Sequence, residues 1–153
     1  MTSHPANAIP VVRRPVATSE LFLQIFVAFT THKETAEAIR ATRLLLQGLN
    51  ARICVLVARE VPFPLPLTEP PVAVTFTEDR LREVVGYDAH IPATVDVFLC
   101  RDRLEAIRQS LPTGATVVVG GRNRWYRRDR RKLIRILRED GHKVVLVEEN
   151  SPV

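Results

Sequence analysis

Between Gly114 and Val147 the chain reads GATVVVGGRNRWYRRDRRKLIRILREDGHKVVLV. This is the pattern of a strand, a Gly-Gly turn, a helix and a second strand. Ala115 to Val119 is an unbroken apolar run, which suits a parallel strand buried on both faces. Gly120 and Gly121 allow a tight turn where a side chain would not fit. Leu133, Ile134 and Leu137 recur at helical spacing, and Gly141 ends the helix. Lys143 to Val147 predicts the second buried strand. Two strands joined through a helix run parallel, and a ligand sits where the first strand gives way to the helix. Here that place is crowded with arginine.

The same pattern recurs upstream. Leu21 to Phe29, Arg52 to Ala58 and Thr94 to Cys100 read as strands. His32 to Leu49 reads as a helix with Ala38, Ile39, Thr42, Leu45, Leu46 and Leu49 on its apolar face. Thr31 and Glu34 form a capping box at its start, and Gly48 and Asn50 mark its exit. Thr75 to Val85 predicts a short helix capped by Thr75 and Glu78. Asp102 caps another that runs to about Ser110. Between them VPFPLPLTEPP, with five prolines from Val61 to Pro71, predicts an extended, partly polyproline connection. Residues 1 to 19 are small, polar and proline-bearing, and predict a mobile tail. Residues 20 to 150 then form one α/β domain, an open parallel five-stranded sheet with helices on both faces.

Charge is unevenly spread. The chain has 153 residues and a formal net charge of +5. Gly121 to Lys143 holds ten basic and three acidic residues, so the rest of the chain is net acidic. The excess belongs to one helix and its entry loop, consistent with an anionic partner. Cys54 and Cys100 fall in predicted strands, and their spacing fits no metal or redox motif. A reducing cytosol is the simplest setting. No apolar run reaches the roughly 18 residues that span a membrane. Polar Thr18, Ser19 and Glu20 break the faint likeness of the N-terminus to a leader. The expectation is a leader-free cytoplasmic protein.

With the whole order laid out, the chain resembles the universal stress protein family from about Leu21 to Val147. IFVAFTTHKETAEAIRATRLL is similar to that family's first strand, turn and first helix. RLEAIRQSLPTGATVVVGG is similar to its third helix and fourth strand, and KVVLVE to its short last strand. The resemblance implies the family's Rossmann-like fold, a stress-associated regulatory role and a homodimer built through the last strand, residues 143–148. Members that bind ATP carry an Asp where this chain has Thr30, and a G-x2-G-x9-G-[ST] loop after the fourth strand. Gly120 matches the first glycine of that loop. Asn123, Leu133 and Ile134 stand at its other three positions. ATP binding in the usual mode is therefore not expected, and no cofactor is assigned.

The expected crevice takes Thr30, Thr31 and His32 from the first loop. Gly120, Gly121, Arg122, Asn123 and Arg124 come from the fourth. A helix N-terminus with free N–H groups and two arginines suits a phosphate-bearing ligand. Two further readings stay open. Arg127, Arg128 and Arg131 with Trp125 suit phosphate contact and base stacking on a nucleic acid. A phosphate-ester or nucleotide hydrolase would use His32 in the crevice. Catalysis has little else behind it. No metal-ligand spacing exists among His4, His32, His90 and His142, and no G-x-S-x-G turn is present. The expected function is a non-enzymatic binding module.

Overall fold

The computed structural model describes residues 8–12, 22–68, 74–86, 91–121 and 127–148. Six strands and four helices follow in the order β1 (Ala8–Val12), β2 (Leu23–Ala28), α1 (His32–Leu45), β3 (Ala51–Glu60), α2 (Val74–Val85), β4 (Ala93–Cys100), α3 (Arg103–Ser110), β5 (Thr116–Gly120), α4 (Arg127–Glu139) and β6 (Lys143–Val147). The sheet order is β1-β4-β3-β2-β5-β6. Strands β2 to β6 pair in parallel, as the alternation of strand and helix predicts.

β1 is the exception. It pairs antiparallel with the outer edge of β4, Ala8 opposite Cys100 and Ile9 opposite Leu99. These five residues lie inside the stretch that composition assigns to a tail. Pro10 is tolerated because an edge strand has one side free of ladder bonds, and the register shifts between Pro10 and Val12.

The two faces of the sheet bury different helices. Phe26, Ala28, Cys54, Leu56, Val117 and Val119 form a core with Ala106 and Ile107 of α3 and Leu133 and Leu137 of α4. Their neighbours Ile25, Val27, Ile53, Val55 and Val118 form a second core with Ala38 and Ile39 of α1 and Leu81 and Val85 of α2. Alternate residues along a strand face opposite ways, so a strand covered by helices on both faces must be apolar throughout. That is why TVVVG and ICVLV are continuous runs. Each fully buried Val or Leu contributes about 1.5–3 kcal/mol of hydrophobic stabilisation.

Three local expectations change. α1 ends at Leu45, and Gly48 turns the chain away with φ +81. Leu45 and Leu49 are exposed rather than on the apolar face. Arg43 donates to the Val85 and Ile91 carbonyls and so marks the α2 side of α1. Leu45 lies two residues, about 200° of helix rotation, from it on the opposite flank. α2 begins at Val74, which puts Thr75 inside its first turn rather than at the cap. The proline loop is not extended throughout, since the Leu65 N–H donates to the Pro62 carbonyl at 3.0 Å and closes a turn. Arg101 holds that turn by donating to the Val61 and Leu65 carbonyls, both at 2.7 Å.

Candidate ligand-binding crevice

The order β4-β3-β2-β5-β6 reverses direction between β2 and β5. Open α/β sheets place their ligands at the carboxyl ends of the strands flanking such a reversal. Thr30 follows β2 and Gly120 ends β5. The Thr30 hydroxyl donates to the Gly120 carbonyl at 3.2 Å, so the two predicted loops do meet.

The residues of the first loop each make a local contact. The Thr30 N–H donates to Thr35 Oγ1 at 3.2 Å. Thr31 is the N-cap of α1, its hydroxyl accepting from the Glu34 N–H at 3.2 Å. The His32 ring stands edge-on to Phe29, centroids 5.2 Å apart. On the second loop, a methyl group added at Gly120 would run into the Glu34 carbonyl and come within 3.2 Å of Ala38 Cβ. The first turn of α1 is therefore seated on the end of β5. Gly121 is buried beneath the Arg130 side chain, and its N–H donates to the Val147 carbonyl at 3.1 Å.

The sequence-predicted residues thus divide into two groups. Thr30, Thr31, His32, Gly120 and Gly121 are brought together, chiefly as structure. Arg122, Asn123, Arg124 and Trp125 lie outside the described residues, as does the side chain of Arg127. Arg128 and Arg131 are exposed on α4.

A cavity of about 250 Å³ opens on the α3/α4 face, at the carboxyl ends of β2, β3 and β4. Phe29, Leu104, Ile107 and Leu133 supply its apolar lining. Thr30, Glu60, Asp102, Arg103, Asp129, Arg130 and Lys132 supply its polar groups. Sequence reasoning placed only Thr30 of these at a ligand site. The signal for Glu60 and Arg103 was available, since each is a charged residue at or just past the carboxyl end of a buried strand. Asp102 is partly spent as the N-cap of α3, accepting from the Glu105 N–H at 3.1 Å.

The chemistry near the cavity is restrained. Cys100 is buried at the end of β4, and burial followed by the nearby Glu60 carboxylate pushes its thiol up to about 11. Such a thiol supplies almost no thiolate at neutral pH. Cys54 is also buried. His142 is a packing residue, its Nδ1 accepting from the Ala115 N–H at 3.1 Å and tying the start of β6 to β5. Among the described residues no group of His, Cys, Asp and Glu is arranged to hold a metal ion. No described helix is long and apolar enough to cross a membrane. Comparison of the chain with protein-family models, with curated proteins and with solved structures gave no match.

Proposed function

We propose that this chain is a non-enzymatic, stress-associated binding module of the universal-stress-protein type, taking a compact anionic ligand in the cavity beside Thr30. The observation that carries the reading is position: the cavity lies at the carboxyl ends of β2, β3 and β4, next to the strand reversal. Arg103, Arg130 and Lys132 attract an anionic group, and the apolar lining accepts a small body. Sites enclosing drug-sized ligands run to roughly 300–1,000 Å³, so the space favours something smaller than ATP. Glu60, Asp102 and Asp129 on the same wall oppose a triphosphate.

A homodimer through β6 belongs to the same reading. Among the described residues β6 pairs only with β5, and Val145 and Leu146 are exposed on it. An apolar strand with a free edge is a template for pairing with a second copy. Cytoplasmic residence completes the proposal, since buried Cys54 and Cys100 are both in the thiol form that a reducing compartment maintains.

Calorimetric titration with inorganic phosphate, AMP and ATP tests it, using the native chain and Arg103→Ala with Arg130→Ala. Binding of phosphate or AMP that the double variant loses supports the reading, as does failure to turn over a phosphate ester. Tight ATP binding indifferent to the two substitutions would refute it.

A further inference from the structure

The outer face of α4 is not used by the cavity or by the core. At 100° per residue, Arg128, Arg131, Arg135 and Arg138 fall within an arc of about 80°. Leu133 and Leu137, 8% and 0% exposed, lie on the other side of the helix. All four arginines are exposed. Among the described residues, none of them is paired with a carboxylate. Three arginines elsewhere are engaged: Arg108 with Asp140 and Glu105, Arg101 with two carbonyls, Arg43 with two more. Arginine stems often shield apolar surface, but these four lie on the side of the helix away from the buried leucines.

From this strip we infer that α4 binds the phosphate backbone of duplex nucleic acid without reading its sequence, a function beyond the ligand site proposed above. Ten residues of helix separate Arg128 from Arg138, about 15 Å at 1.5 Å per residue. Successive Cα positions of the four are thus roughly 4.5–6 Å apart along the axis, against about 3.4 Å of axial rise per phosphate of one strand, so the strip spans several phosphates. Arginine forms bidentate bonds to phosphate and holds its charge at every physiological pH. An anionic membrane is the weaker match. A helix lying on lipid buries an apolar face in the headgroup boundary, and the leucines of α4 are already committed to the sheet. The one carboxylate on the outer face, Glu139, sits at its far end.

Fluorescence anisotropy of the full chain with a labelled 20-base-pair duplex reads the interaction. Four phosphate contacts give a log–log salt slope of about −3.6, an affinity loss of about 150-fold between 50 and 200 mM salt. Arg131→Glu with Arg135→Glu should halve that slope or abolish binding, with the circular dichroism spectrum unchanged. Arg131→Lys with Arg135→Lys should retain the slope. The cavity variant Arg103→Ala with Arg130→Ala should bind duplex as the native chain does, which separates this inference from the ligand reading. Three results would overturn it: no binding at 50 mM salt, a slope unmoved by charge reversal, or binding to phosphatidylserine vesicles without binding to duplex.

Discussion

The Thr30 hydroxyl donates to the Gly120 carbonyl across 3.2 Å, joining positions ninety residues apart at the point where the sheet changes direction. The hydroxyl is thus turned to the neighbouring strand end, and the cavity lies on the α3/α4 face beside it. A neutral hydroxyl does this well, because it donates where a carboxylate only accepts.

The two glycines of the turn should respond differently to a methyl group. Gly120→Ala drives Cβ into the backbone of Glu34, which cannot swing aside. The cost should be about 1–3 kcal/mol in urea denaturation, with α1 displaced. At Gly121 the obstacle is the Arg130 side chain, which can rotate away. Gly121→Ala should cost clearly less, and equal costs would contradict this packing.

Leucines on α4 and α1 make a second contrast. Leu137 is fully buried between α4 and the sheet. Leu137→Ala should cost about 2–5 kcal/mol. Leu45→Ala removes a side chain that is 73% exposed and should change stability by less than about 0.5 kcal/mol. Denaturant midpoints of the two variants check both.

Asp140 carries a pH signature. Its carboxyl sits below the usual value of 3.8 because Arg108 donates two hydrogen bonds to it, at 2.8 and 2.9 Å. A depressed folded pKa adds stability above the unfolded pKa, and that stability is lost as pH falls through the folded value. Asp140→Asn should therefore be less stable than the native chain at pH 7. The difference should close in acid below pH 3.8 and shrink in high salt. A gap that persists at low pH would point to packing instead of the ion pair.

Cys100 behaves in the opposite sense. Its folded pKa is raised, so the stability it contributes is present below the unfolded value near 9 and fades as pH climbs towards 11. The native chain should lose stability in alkali relative to Cys100→Ala, seen as converging melting temperatures. At pH 8 the folded chain should react negligibly with a thiol reagent, whereas both cysteines react in urea.

Arg101 organises the proline loop. Its guanidinium bonds two carbonyls and lies 4.0 Å from the centroid of Phe63, which is 81% exposed. Arg101→Ala should leave the global melting temperature within a few degrees while hydrogen exchange at Leu65 quickens at least tenfold. Unchanged exchange would mean that the prolines hold the loop unaided.

The parallel body was legible because burial on both faces leaves no freedom in a strand such as TVVVG or ICVLV. Thr31 and Asp102 were legible as caps because capping is local chemistry. β1 was hidden, since AIPVV carries a proline and gains its partner only from the distant edge of β4. Leu45 continues the helical pattern of its neighbours, yet falls on a flank with little to cover it. Most of the candidate site was likewise missed. Glu60, Arg103 and Arg130 come from three different elements, and only the fold brings them to one cavity. Arg101 gave no local signal, because its partners are reached across the loop.

The most direct test of the ligand site is an amide chemical-shift titration of the isotope-labelled chain with inorganic phosphate, AMP and ATP. The account predicts saturable shifts for phosphate or AMP centred on Thr30, Arg103, Gly121 and Arg130, with ATP bound no more tightly than AMP. Shifts centred elsewhere, ATP bound far more tightly than AMP, or no saturable shift at millimolar ligand would contradict it.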